Sequence, residues 1–278
     1  MEAGRPSVTA RAAAMQRAVH QVLEGGRIFT DPLAVRVLGE DPDVLIREVS
    51  ARPGSGLLRL FCAARSRFAE DSLAVAVATG TRQLVVLGAG LDTFAHRNPH
   101  DGLAVFEVDH PATQAWKRTR LAEAGLAHPS SLTFVPVDFE RERLAGGLAT
   151  SGFDPGAPAF FTWLGVVPYL TRDAIAGTLR YIAGLAGGSQ VVFDYADPPA
   201  SLPVRQRLAH EIRARRVASV GEPWRSYFTR DDIAVDLRGM GFTDIEDLGP
   251  VDIGVRYVGL PPGPARPGGH LIRAGLST

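Results

Sequence analysis

Apolar positions follow two different rhythms along this chain. Residues 9–22 and 57–78 carry apolar side chains at helical spacing, as does the shorter run 32–38, which has Asp31 before it as a cap and Gly39 after it as a stop. Gly25-Gly26 and a turn at Pro53, Gly54 and Gly56 separate these helices. From Leu84 onward the pattern changes to short, almost wholly apolar runs at 84–87, 103–108, 132–137, 159–163 and 190–194. Amphipathic stretches at 111–125, 140–149 and 171–185 alternate with them. Strands that are apolar on both faces, separated by helices, predict a parallel sheet covered on each side. Right-handed crossovers then give a doubly wound, Rossmann-like α/β fold. The last third breaks the alternation. Helices are expected at 203–217 and 230–239 and strands at 242–248, 255–260 and 270–274. The turn PPGPARPGG joins the last two strands, so an antiparallel pair closes the sheet edge. This organisation is one structural domain: a helical region over 1–80 and a core over 81–278, with 199–228 inserted after the fifth strand.

Composition changes this picture little. The chain has 278 residues with 45% hydrophobic and 22% charged, which suits an ordinary globular core. Lys plus Arg and Asp plus Glu both number 30, so no general electrostatic hold on nucleic acid or anionic lipid is expected. The single cysteine, Cys62, lies in an apolar run and reads as a small buried hydrophobe in a reducing compartment. No segment has signal-peptide or membrane-spanning character, which places the protein in the cytoplasm. With neither a CxxC pair nor HExxH, no metal site is expected. Oligomeric state has no signature in the sequence.

The chemistry concentrates where the strands end. Val85-Val86-Leu87 runs into Gly88-Ala89-Gly90-Leu91-Asp92-Thr93, and a Gly-x-Gly turn lets the backbone approach a ligand that a Cβ would exclude. The second strand ends in Phe106-Glu107-Val108-Asp109, where an acid is placed to accept hydrogen bonds from both ribose hydroxyls of an adenosine group. Thr93 stands where a dinucleotide fold has its third glycine, and Asp92 would repel a pyrophosphate. The combination favours S-adenosyl-L-methionine (SAM) over NAD. At the third strand end, Asp138 either hydrogen-bonds the adenine amino group, with Phe139 covering the ring, or caps the following helix. The fourth ends in Trp163-Leu164-Gly165-Val166-Val167-Pro168-Tyr169, an apolar loop that would line a pocket unless its aromatics are plain core.

Taken together, the segments FTDPLA, RSRF, VVLGAGLDTFAHR, FEVDHP, VPVDFE and WLGVVPYLT resemble the leucine carboxyl methyltransferase-like family of SAM-dependent methyltransferases, notably its bacterial branch associated with O-methylation of secondary metabolites. The likeness covers roughly Arg17 to Pro198 and continues in GEPWRSYFTRDD. It implies SAM as cofactor and a small-molecule acceptor. It also implies that Arg67 holds the methionyl carboxylate, a group suited to a guanidinium fork. Gly88, Ala89 and Gly90 form the cofactor turn, Asp109 and His110 lie at the ribose, and Asp138 and Phe139 lie at the adenine. Arg17, Trp163 and Leu164 complete the cofactor set, and Tyr169 and Tyr227 belong to the substrate pocket. Region 1–80 and the insertion 199–228 would roof the acceptor. One departure stands out: protein-directed members carry a glutamate near the methionyl amine where this chain has Leu164, which weakens the case for a protein C-terminus as substrate.

Methyl transfer is an in-line displacement, so the protein supplies mainly orientation and dehydration. A carboxylate acceptor needs no base at neutral pH, whereas a phenol or alcohol does. Candidates for that base are His20, His110, Tyr169 and Tyr195, with Asp194 able to orient or accept, and His20 and Tyr195 are singled out. The arginines of 202–228 either attract an acidic acceptor or form a solvated helix face. Two other readings compete: an NAD(P)-dependent oxidoreductase, which would need a third glycine and a Tyr-x-x-x-Lys pair, and a SAM-binding partner protein without catalysis.

Overall fold

The computed structural model describes residues 7–52, 54–139 and 141–276, so Pro53 of the expected turn and Glu140, expected to open a helix, lie outside the described residues. Four helices come first: α1 (Val8–Leu23), α2 (Ala34–Leu38), α3 (Pro42–Ser50) and α4 (Ser55–Ala78). Ser7 caps α1 by accepting the N–H of Ala10, and Gly39 ends α2 in the left-handed region at φ 63°. The pattern reading passed over α3. Its signals are nonetheless local: Asp41 accepts the N–H groups of Asp43 and Val44, Pro42 occupies the first turn, and Leu45 and Val49 face inward at a spacing of four.

The α/β alternation then proceeds as β1 (Gln83–Leu87), β2 (Ala104–Asp109), α5 (Pro111–Glu123), β3 (Leu132–Pro136), α6 (Leu144–Ala149), β4 (Ala159–Trp163), α7 (Arg172–Ala183) and β5 (Ser189–Ala196). It closes with α8 (Val204–Ser219), α9 (Arg230–Gly239), β6 (Asp244–Leu248), α10 (Pro250–Ile253) and β7 (Gly269–Gly275). The seven strands lie in the order β3-β2-β1-β4-β5-β7-β6. β1 to β5 pair in parallel, and β7 inserts antiparallel between β5 and β6. The order in which the strands are connected reverses between β1 and β4, which opens a crevice at the carboxyl ends of those strands. Alternate residues of β1 enter two separate cores, Val85 and Leu87 on one face of the sheet and Leu84 and Val86 on the other. That is why Leu84 to Leu87 are all apolar.

The closing antiparallel pair is present, but one expected partner is wrong. Residues 255–260 form no strand; Gly254–Val258 is a π-helical turn stopped by Gly259 at φ 79°. Alternation suggested a strand, yet Ile253, Tyr257 and Val258 all pack on the same core, at spacings of four and five. Helix α10 feeds directly into this turn, and β6 takes the place beside β7. α6 likewise begins at Leu144, later than expected.

A buried polar cluster pins the far edge of the sheet. The His270 imidazole lies between Asp247 Oδ1 at 2.8 Å and Asp197 Oδ2 at 3.0 Å, and it stacks on the Tyr195 ring at 4.7 Å. The Tyr195 hydroxyl donates to Asp247, and Arg230 stands 3.6 Å from that same carboxylate. Burial disfavours charge on His270, but the two carboxylates outweigh it and raise the imidazole above its ordinary 6.5. A histidine with a raised folded pKa stabilises the protein fully below the unfolded value, and that stability is lost as pH rises through the folded value. Urea midpoints should therefore fall as pH is raised above 6.5, and His270→Gln should flatten that part of the profile.

Candidate active site

The turn after β1 is shaped for close approach. Gly88 and Gly90 both adopt left-handed backbone, at φ 65° and 48°, and the N–H groups of Gly88 and Ala89 donate to the Val108 carbonyl at 2.8 and 3.2 Å. A Cβ on Gly88 would come within 2.4 Å of Val166, and one on Gly90 within 3.1 Å of Ala10 in α1. At the end of β2, Asp109 accepts the N–H of Gly90 on Oδ2 and the N–H of His110 on Oδ1 at 2.6 Å. Burial raises the Asp109 carboxyl above its usual value, while those two N–H groups oppose the shift. His110 caps α5 by accepting the N–H of Ala112 on Nδ1, which leaves Nε2 3.9 Å from Asp138. Both candidate cap and ligand residues thus stand at one end of the crevice.

These groups line a cavity of about 370 Å3 at the carboxyl ends of β1, β2 and β4, within the range of small-molecule sites. Gly88, Ala89, Gly90, Asp109, His110, Asp138 and Phe139 all border it, as do Arg17, Leu164 and Tyr169. Arg17 is engaged by Asp31 at 3.4 Å and by the Leu91 carbonyl at 2.6 Å.

Other expectations fail on position. Arg67 is half exposed on α4, paired with Asp71 one turn on, and lies outside the cavity. The arginine that reaches the cavity is Arg65, two residues earlier and buried. Two residues rotate a helix by about 200°, so the two arginines sit on opposite faces. The signal was present in the sequence: Arg65 shares its stripe with Ala69, Leu73 and Ala76, whereas Arg67 forms a surface pair with Asp71.

His20 is also misplaced as a base. It is fully buried on the last turn of α1, with Nδ1 3.1 Å from Glu24 and Nε2 accepting the N–H of Ile28, and burial lowers its pKa. Tyr195 belongs to the His270 cluster, where burial and Asp247 hold its phenol above the ordinary range. Trp163 is core, with its ring against Phe193. Tyr227 meets His210 at 2.9 Å and does not border the cavity.

Comparison with known sequences bears on residues 10–183, which match the model of the leucine carboxyl methyltransferase family over more than half of the chain. The chain belongs to that family. It is 39% identical over 195 residues to YktD of Bacillus subtilis (strain 168), provisionally named a SAM-dependent methyltransferase, covering 68% of this chain and 63% of that protein. A protein of Mycolicibacterium paratuberculosis (strain ATCC BAA-968 / K-10) with the same provisional name is 31% identical over 216 residues, covering 73% of this chain and 67% of its own. The match spans less than two thirds of YktD and about two thirds of the second relative. A crystal structure of a provisionally assigned methyltransferase from Thermobifida fusca YX has the same fold, with a TM-score of 0.58 at 18% identity over 100% of this chain and 97% of that one. SAM is the cofactor of the family.

In this leucine carboxyl methyltransferase family member one side of the cavity is closed by contacts that local sequence patterns do not specify. Glu222, in the loop after α8, accepts the N–H groups of Val8 and Thr9 at 3.2 and 3.1 Å and so holds the first turn of α1 over the cavity. The N–H groups of Arg225 and Ser226 donate to the Pro168 carbonyl, at 2.6 and 3.2 Å, which fastens the same loop to the segment after β4. Tyr169 lies between these pieces, its phenol raised by burial and hydrogen-bonded to Trp224 and Thr9. Both Glu222 and Arg225 border the cavity. Both stand in the segment GEPWRSYFTRDD, but their place at the cavity comes from contacts with segments far apart in the chain.

Proposed function

We propose that the protein transfers the methyl group of SAM to an oxygen of a small molecule, a carboxylate in preference to a hydroxyl. The observation that carries this reading is the span of the cavity. Asp109 stands at one side to accept from the ribose hydroxyls, and the buried Arg65 stands at the other to receive the methionyl carboxylate. Gly88 and Gly90, both in left-handed backbone, keep that part of the cavity wall free of side chains, which suits close approach of such a group. A pyrophosphate fits poorly, because the turn carries Asp92 where a dinucleotide needs an uncharged surface; burial would raise that carboxyl, but Lys117, Arg17 and Arg97 hold it below its usual range.

When bound, the cofactor supplies an electrophilic methyl carbon on a sulfonium centre. The chain's residues bind, orient and exclude water. Asp138 and Phe139 are placed for the adenine, and the loop of Glu222 with the start of α1 shields the reacting end. The Glu222 carboxylate is engaged by two backbone N–H groups and the Tyr169 phenol is raised. Neither is poised to remove a proton, which favours an acceptor that is already anionic at neutral pH. Arg225 at the mouth adds a cation that suits such an acceptor. The resemblance to the bacterial branch supports a secondary metabolite as the acceptor. A cytoplasmic setting fits the single buried Cys62, and no helix among the described residues is long and apolar enough to cross a membrane.

Calorimetric titration with SAM and separately with NADH tests the cofactor, and a screen of carboxylic acids against phenols tests the acceptor. Saturable SAM binding with no NADH binding is expected. Turnover of carboxylates should stay level between about pH 6 and 8, since their charge does not change there. Binding of NADH alone would overturn the reading, and turnover confined to phenols with a rate climbing with pH would overturn the carboxylate preference.

A further inference from the structure

Asp194 lies in β5, buried behind the cavity rather than in its wall. Its Oδ2 accepts from Arg65 Nη1 at 3.3 Å, and its Oδ1 accepts the N–H of Gly165, just beyond β4. Gly165 adopts φ 72°, and a Cβ there would fall 2.7 and 2.9 Å from the two terminal guanidinium nitrogens of Arg65. One carboxylate therefore joins α4, the turn after β4 and β5, and the glycine leaves room for the arginine to reach it.

We propose that Asp194 is a positioning residue, which fixes the Arg65 guanidinium so that its remaining N–H donors face the amino-acid end of the cofactor. This rests on the assignment of Arg65 to the methionyl carboxylate. A free arginine side chain must give up considerable rotamer freedom to bind a ligand, and a carboxylate that holds one nitrogen in advance removes part of that cost. The ion pair also has a consequence for selectivity. A lone buried arginine would select a net anion, whereas Arg65 beside Asp194 is neutral as a pair and suits a zwitterionic amino acid. Burial disfavours the Arg65 charge, but Asp194 more than offsets this.

Two probes separate positioning from mere support of the fold: S-adenosylhomocysteine, which keeps the amino acid, and 5′-methylthioadenosine, which has the same nucleoside without it. Asp194→Asn retains a carbonyl acceptor for the Gly165 N–H and removes the charge that holds Arg65. It should weaken S-adenosylhomocysteine binding by about ten-fold or more while changing methylthioadenosine binding by less than about two-fold. The nucleoside arm also reports that the variant is folded. In an Arg65→Ala background, Asp194→Asn should cause no further loss of S-adenosylhomocysteine affinity. Equal losses for both probes, unchanged S-adenosylhomocysteine affinity, or full additivity with Arg65→Ala would each overturn the positioning role and leave the cofactor assignment standing. Wild-type protein that binds neither probe would overturn both, and an Arg65→Ala variant that treats the two probes alike would overturn the role of Arg65 and with it this inference.

Discussion

Asp109→Ala is expected to lower SAM affinity by about 10²–10⁴-fold in a calorimetric titration. The carboxylate already accepts from Gly90 and His110, and each oxygen retains a lone pair toward the cavity. Two ribose hydroxyls donating to a charged acceptor are worth about 1.5–3 kcal/mol each, or about 3–6 kcal/mol together, which sets that range. The alanine variant also leaves two buried N–H groups unsatisfied at the turn, so a loss of stability accompanies the loss of affinity. Asp109→Asn separates the two effects. It preserves the shape but turns an amide donor toward one of those N–H groups, so affinity should fall to an intermediate level while the circular dichroism spectrum is unchanged. A loss below about ten-fold for the alanine variant would show that the ribose is held elsewhere.

Lys117→Met should destabilise the protein by about 3–5 kcal/mol at pH 8, read from urea unfolding. Lys117 on α5 meets Glu107 Oε2 on β2 at 2.5 Å, with both side chains only 1% exposed, and Glu107 Oε1 has no hydrogen-bond partner among the described residues. Burial raises the Glu107 carboxyl from 4.5 to about 7, against the pull of Lys117. A carboxyl raised on folding contributes stability at low pH that is lost as pH climbs from 4.5 through about 7. Without Lys117 the folded carboxyl rises further and prefers its proton. The variant's deficit should therefore shrink between pH 8 and pH 5.5. Replacing both partners, as Lys117→Met with Glu107→Leu, should recover most of the stability, because an apolar pair of similar volume removes the stranded charge. A deficit that is the same at both pH values would mean that Glu107 does not carry the effect.

The strand and helix alternation, the Gly-x-Gly turn and the acid at the end of β2 were legible because each is set by local periodicity or by one backbone requirement. Helical phase alone would also have separated Arg65 from Arg67, since burial of the stripe Ala69, Leu73 and Ala76 and the surface pair Arg67–Asp71 both follow from a spacing of three or four. Residues 255–260 misled for a related reason: a short run of alternating apolar residues fits either a strand or a tight helix, and the choice fell to the core beneath Tyr257 and Val258.

Local pattern does not say which distant segments meet. Asp194 and Tyr195 are neighbours in β5, and both read as strand-end candidates for chemistry. Side chains alternate across a strand, so Asp194 turns toward α4 and Arg65, while Tyr195 turns to the opposite core and stacks on His270. Glu222 and Arg225 reach the cavity only because their loop folds back onto α1 and Pro168. The sequence by itself determined most of the elements, their order and the residues after β1 and β2 that border the cavity, because these depend on spacing along the chain. The tertiary structure decided which arginine and which loop close the other side of the cavity, because that depends on pairing between segments up to 214 residues apart.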